Sequence, residues 1–318
     1  MISYDDVVRA RETIGSRLHR TPTFSSATLS RLTGADVHLK AELFQRTGSF
    51  KPRGVLNKLA SLTDDEKAGG VIGISAGNHA QALAYCAALE DIDALVVMWT
   101  GASEQKIAAT REYGAQVDLH ARDPGEAFVR LEELIAATGR TLVHPFDDPL
   151  VMAGQGTVGL ELLEDVPEAD VVVVPVGGGG LISGIATAVK GVRPETRVVA
   201  VEPETSAALR EALAAGEPVR ITPRSVADGL NAPFAGANVL PVCRERVDTT
   251  VLVTEAELED AFRFVYARAK LACEPAGAAS TAALLVGKVD FEPGETVALV
   301  VSGGNTAREI ASAILAKR

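Results

Sequence analysis

DVVVVPVGGGGLISG, residues 170–184, runs from an almost unbroken apolar segment through four glycines into a helical pattern. An apolar run of that kind marks a strand buried on both faces, as in parallel sheets covered by helices on each side. Gly177–Gly180 let backbone amides approach an anion closely, and a helix starting near Leu181 adds the positive end of its dipole. The segment reads as a phosphate cradle; the alternative is a tight turn that needs positive φ. A dinucleotide site is a sharper rival, because Glu202 ends a later strand where a ribose-binding acid could sit. Counted from Gly178, however, G-x-G-x-x-G puts Ser183 where its last glycine belongs, and no G-x-x-x-x-G-K-[ST] pattern occurs.

Outward from this stretch the chain alternates strand and helix patterns. GVIGIS (70–75), ALVVMW (94–99), AQVDLH (115–120) and TLVHPF (141–146) predict strands, with helices over 79–91, 103–114 and 124–138 between them. After a helix over 153–164, RVVAVEP (197–203) and TVALVVS (296–302) predict two more buried strands. Thr254 with Glu257 predicts a capping box that opens a helix reaching about Leu271. Strict alternation implies parallel pairing with right-handed crossovers, hence an α/β fold. The expected organisation is two packed units, the smaller (67–145) inserted into the larger (1–66 plus 146–318).

The chain has 318 residues, 47% hydrophobic and 23% charged, with a net charge of −11 and a pI near 5.1. An acidic balance argues against nucleic-acid or anionic-membrane partners, which need a basic field. Cys86, Cys243 and Cys273 are too few and too scattered for a disulfide framework, which fits a reducing, cytoplasmic setting. The amino-terminal MISYDDVVRARETIG lacks the apolar core of a signal peptide, and no stretch reaches bilayer length. The five histidines form no H-E-x-x-H pair and no G-x-S-x-G elbow occurs, which disfavours a metallohydrolase or a serine hydrolase.

Two further turns follow strands and precede helices: SAGNHA (75–80) and SGGNTA (302–307). Exposed amides in the first, with the Ser75 hydroxyl and Asn78 amide, suit a carboxylate or phenolate oxygen; the alternative is a polar helix cap. GSFKPRG (48–54) places Lys51 at the head of a helix whose apolar face is Val55, Leu56, Leu59 and Leu62, with Ser49 as its expected cap. There the helix dipole disfavours the ammonium form, and an amine of lowered pKa can form a Schiff base and act as a base. A solvated lysine is the alternative.

GSFKPRG, SAGNHAQ, PVGGGGLISG, VADG, EPAG and SGGN occur in the order found in fold type II pyridoxal-phosphate enzymes. Within that group the chain resembles the threonine/serine dehydratase and serine racemase family, from RTPTFSSATLS (20–30) to the SGGN loop. The resemblance implies two open, twisted, mostly parallel sheets flanked by helices. It implies that Lys51 carries pyridoxal 5'-phosphate, with Phe50 against the ring and Asn78 bonded to the phenolic oxygen. Gly177, Gly178, Gly179, Gly180 and the Leu181 amide would hold the phosphate, and Ser302 would face the pyridine nitrogen. Ser75, Ala76, Gly77, Asn78 and His79 would form the turn that binds the substrate carboxylate. The implied reaction is β-elimination from L-threonine, L-serine or a related β-hydroxy amino acid, giving a 2-oxo acid and ammonia.

Four features place the chain within the family. Racemases carry a serine where this chain has Ala76, and HPFDDP (144–149), with Phe146, resembles the dehydratases. Some members bind a divalent cation, Mg²⁺ or Ca²⁺, through Glu202, the carbonyl of Ser206 and a second acid, but that last position is Ala208 here. The alternative for Glu202 is an ordinary surface acid. MWTG (98–101) has Trp99 where the family has proline. The family also implies a homodimer or homotetramer, and β-replacement is a third chemistry on the same fold.

Overall fold

The computed structural model describes residues 1–317. Its ten strands are β1 (Thr23–Ser25), β2 (Asp36–Ala41), β3 (Val71–Ile74), β4 (Ala94–Trp99), β5 (Gln116–Ala121), β6 (Thr141–Leu142), β7 (Val171–Pro175), β8 (Arg197–Pro203), β9 (Thr249–Val253) and β10 (Thr296–Val301). They form a six-stranded sheet in the order β1-β2-β10-β7-β8-β9 and a four-stranded sheet in the order β5-β4-β3-β6. Every pairing is parallel except β1 with β2 at the edge of the larger sheet. The architecture is α/β with two mostly parallel sheets flanked by helices, as the motifs implied.

β7 and β10 lie at the middle of the larger sheet and are buried at every position. Their side chains divide by parity, because successive residues point to opposite faces. Val171, Val173, Val297, Leu299 and Val301 join one core with helix Pro275–Leu285; Val172, Val174, Ala298 and Val300 join another with helix Gly180–Val192. Apart from Thr296 at the start of β10, every position faces one of these two cores or lies within the sheet, which is why these strands read as nearly continuous apolar runs.

Several elements differ from the sequence expectation. TLVHPF is paired only over Thr141–Leu142. Beyond it the His144 imidazole Nδ1 accepts the amides of Phe146 (3.3 Å) and Asp147 (2.8 Å), turning the chain before a strand can continue. The helix expected over 153–164 starts at Pro149, capped by Asp148, whose carboxylate accepts the amides of Leu150 and Val151. The Thr254–Glu257 capping box is present, but the α-helix stops at Phe264 and passes through a π-helical stretch, Val265–Ala269. It terminates at Lys270, whose φ is 61°. Trp99 packs at the end of β4 against the cluster of Ile72, Ile74 and Val97.

Beneath helix Lys51–Ala60 lies a buried ionic network. Arg53 Nε donates to Glu42 (2.9 Å) and Nη1 to Glu161 (2.6 Å), while Lys40 Nζ meets the other Glu161 oxygen at 3.0 Å. Charges taken out of water are tolerated only when paired and hydrogen-bonded. The network therefore ties the start of this helix to β2 and to helix Pro149–Asp165. Among the described residues no helix is long and apolar enough to cross a membrane.

Candidate active site

The three glycine-bearing turns lie at the carboxyl ends of β3, β7 and β10, where open α/β sheets present ligand sites. Lys51 is the first residue of helix Lys51–Ala60, with Pro52 in its first turn and Val55, Leu56 and Leu59 buried along it, while Leu62 is buried just past its end. Ser49 does not cap the helix. It is extended (φ −161°), forms an isolated bridge with Gly303, and its buried hydroxyl has no partner among the described residues. The bridge has a positional effect: Phe50 N–H donates to Ser302 O at 3.2 Å, so the lysine segment is stitched to the turn after β10.

The Lys51 Nζ donates to Pro145 O at 2.7 Å and lies 5.1 Å from the centre of the Phe50 ring. Burial lowers the amine to about 8, while the field of Glu274 opposes the shift. Desolvation, rather than the dipole argument made from sequence, is the main cause. One residue beyond Pro145, the Phe146 ring packs on the glycine loop; a Cβ added at Gly178 would overlap it. Gly179 has φ 93°, a left-handed conformation that only glycine adopts without strain.

The amides of Gly177 through Leu181 donate to no carbonyl or side chain among the described residues. Gly177 is half-buried and the other four are buried. Buried amides normally find partners, and a cluster of them at the head of a 13-residue helix is an anion cradle.

In the turn after β3, Ser75 Oγ accepts the Gly77 amide at 3.0 Å, and Asn78 begins helix Asn78–Leu89. A Cβ on Gly77 would find nothing nearer than Lys106 Nζ at 3.8 Å, so this turn borders open space. His79 is only partly what the sequence suggested. Its ring is buried and bonded through Nε2 to Val143 O (2.8 Å), and desolvation lowers it to about 3. The imidazole is thus a neutral core group, and only the backbone of residue 79 belongs to the turn.

Ser302 is buried at the end of β10, and the next residues join the two turns. Asn305 Nδ2 donates to Thr47 O (2.6 Å) and to Asn78 Oδ1 (2.9 Å). Asn78 Nδ2 in turn donates to Glu274 Oε1 at 2.7 Å. Glu274 and Asn305 were not singled out from the sequence, although EPAG and SGGN both were. Their role rests on contacts with Asn78 across 196 and 227 residues, which no local signal encodes.

Glu202 is not a surface acid. It is fully buried, and its two oxygens accept the amides of Leu209 (2.7 Å) and Arg210 (2.9 Å) in helix Ala208–Ala215. Desolvation pushes it up to about 7. The Ser206 hydroxyl donates to Leu230 O at 2.8 Å, and among the described residues no three His, Cys, Asp or Glu side chains gather as a metal set. The structure gives Glu202 the work of a helix cap.

Comparison with known proteins gives a consistent picture. The sequence model of a family described as pyridoxal-phosphate dependent enzyme matches residues 15–303. An L-threonine ammonia-lyase of Thermotoga maritima is 43% identical over 306 residues, covering 96% of this chain and 76% of its own length. A T.th. threonine deaminase, in its crystal structure, superposes with a TM-score of 0.90 at 42% identity, covering 96% of this chain and 99% of that one. Maize serine racemase superposes at 0.93 with 35% identity, covering 97% and 95%.

Proposed function

The chain belongs to the pyridoxal-phosphate dependent enzyme family, and from that premise we propose that it is an ammonia-lyase acting on L-threonine, L-serine or a related β-hydroxy amino acid. The products are the 2-oxo acid and ammonia. One observation carries the reading: a desolvated lysine amine, lowered to about 8, is bonded to Pro145 O beside the Phe146 that packs on the turn after β7, and its segment is stitched to the turn after β10.

The residues fit the cofactor. Unpartnered amides at Gly177–Leu181 suit a phosphate, and Phe50 beside the Lys51 amine offers a flat apolar face to a ring. Asn78 has an amide hydrogen left to give to a phenolic oxygen, and Ser302 supplies a neutral hydroxyl for the pyridine nitrogen. When bound, pyridoxal phosphate supplies a π system that accepts the electrons of the substrate's Cα–H bond.

Lys51 does two things in this reading. As a free base it would be the nucleophile that holds the cofactor, and as a free amine it would take the substrate's Cα proton. The turn at Ser75–His79 binds the substrate carboxylate through backbone amides and orients Cα toward Lys51. Loss of the β-hydroxyl as water and hydrolysis of the remainder complete the reaction. Ala76 presents a methyl group that has no proton to deliver to the opposite face, which disfavours racemisation. Glu202 already spends both oxygens on backbone amides, and no cation enters this reading.

We also propose that residues 67–145, which contain the four-stranded sheet, act as a smaller unit set into the larger one formed by 1–66 and 146–318. A cytoplasmic homodimer or homotetramer is the expected working form. The deciding experiment measures 2-oxo-acid release from L-threonine, L-serine and L-threo-3-hydroxyaspartate by the pyridoxal-phosphate-loaded protein, with Lys51→Ala as control. Lysine-dependent release is expected, and the order of rates identifies the substrate. Bound cofactor without release would replace this reading by racemisation or β-replacement.

A further inference from the structure

Glu274 is 2% exposed and sits where three segments of the site touch. Its Oε1 accepts Asn78 Nδ2–H at 2.7 Å, and its own N–H donates to Gly303 O at 3.0 Å. A Cβ on Gly303 would overlap the same Oε1, and one on Gly229, in the VADG segment, would come within 3.5 Å. Its Oε2 is buried and has no partner among the described residues. A buried carboxyl oxygen left unbonded is costly, so stability alone does not account for the residue.

The geometry also fixes how Asn78 sits. Asn305 is oriented by Thr47 O and donates to Asn78 Oδ1, so rotating the Asn78 carboxamide by half a turn would set donor against donor. In the orientation that remains, one Nδ2 hydrogen goes to Glu274 and one is unspent. We propose that Glu274 is a positioning residue that, with Asn305, locks the Asn78 carboxamide so that its spare N–H is presented to an oxygen of bound pyridoxal phosphate. This rests on the cofactor reading given above.

The charge of Glu274 matters to that role. Burial first and Asp228 second push it up to about 8, against the lowering by Lys106, the Asn78 bond and Lys51. A neutral carboxyl still accepts from Asn78 through Oε1 but places no negative charge beside a ligand oxygen. Above about pH 8 the carboxylate forms, and the phenolic oxygen of the cofactor then meets a repulsive field.

The test titrates cofactor-free wild-type, Glu274→Ala, Glu274→Gln and Lys51→Ala proteins with pyridoxal phosphate across neutral to alkaline pH, following visible absorbance and the dissociation constant. Glu274→Ala should weaken binding about tenfold and shift the absorbance maximum, the cost of freeing one buried hydrogen bond. Glu274→Gln keeps an acceptor at Oε1 and should restore affinity to within about threefold, while removing the weakening expected of the wild type above about pH 8. Wild-type affinity and spectrum in Glu274→Ala would overturn the proposal, as would a Glu274→Gln profile that keeps the alkaline weakening. If Glu274→Ala does not fold, by circular dichroism, the Glu274→Gln pH profile alone decides. A wild type with no lysine-dependent colour would instead sink the cofactor reading itself, so the two failures are distinct.

Discussion

The turn after β7 and the turn after β3 obey the same local grammar, a parallel strand, a glycine-bearing turn and a helix, yet their surroundings are opposite. Around Gly177–Gly180 the backbone is clamped: Phe146 lies on Gly178, Val239 on Gly179, and the Leu230 Cα would stand 3.1 Å from a Cβ on Gly177. Around Gly77 the nearest atom a Cβ would meet is 3.8 Å away, on the flexible Lys106 side chain. The first turn is backed by a strand of the six-stranded sheet buried at every position; the second opens from the smaller sheet. A clamped cradle suits a group that never changes, as the cofactor phosphate proposed to sit there would be. An open turn suits a substrate that must enter and leave, and this division of labour can be broken or sharpened experimentally.

The most damaging change removes the lysine at the centre of the proposed reading. Lys51→Ala should cost at least about 10³-fold in 2-oxo-acid release, since nucleophile and base are lost together. Loss of the visible absorbance of the purified protein checks the same substitution without an assay.

Next comes the clamp. Gly178→Ala forces a methyl group into the Phe146 ring and should weaken pyridoxal phosphate binding about 100-fold, by fluorescence titration. Phe146→Ala in the same chain should recover part of that loss, because the two side chains compete for one space. Full additivity of the two substitutions would show that the loop is not clamped by Phe146.

A pH dependence follows from Lys51. The amine reacts as the free base, so uptake of pyridoxal phosphate by the cofactor-free protein should rise with pH and level off above about 8. Below that value the rate should fall about tenfold per pH unit, because protonation removes the nucleophile in proportion. Stopped-flow absorbance measures it; a midpoint near 10.5, the ordinary lysine value, would show that burial does not act on this amine.

The smallest effects belong to the open turn. Gly77→Ala should leave cofactor affinity within about threefold, the methyl group having room, and should act mainly on KM for L-threonine. Ala76→Ser should leave the lyase rate within about tenfold while raising conversion of L-serine to D-serine, read by chiral chromatography. No gain in D-serine would remove the argument from Ala76.

Much of this was legible along the chain for a physical reason. β8 begins and ends where RVVAVEP does, and β7 and β10 fall inside the apolar runs, because strands buried on both faces are filled almost wholly by apolar side chains, with Thr296 and Glu202 the buried polar exceptions. TLVHPF carried similar apolar content and failed as a strand, because a histidine ring, not a neighbouring strand, satisfies the following amides. Glu202 looked exposed for a related reason: its partners are the amides of Leu209 and Arg210, in a helix whose start no capping residue marks.

Sequence by itself determined the alternation of strand and helix, the three glycine-bearing turns and the lysine at a helix head. All of these are local, set by periodicity, capping and the conformational freedom of glycine. Tertiary structure alone decided that Lys51 loses its hydration beside Pro145, 94 residues away. It alone decided that Phe146 closes on Gly178 and that Glu274 and Asn305 hold Asn78. Desolvation and hydrogen-bond pairing depend on which distant segments converge, and the fold, not the local pattern, sets that convergence.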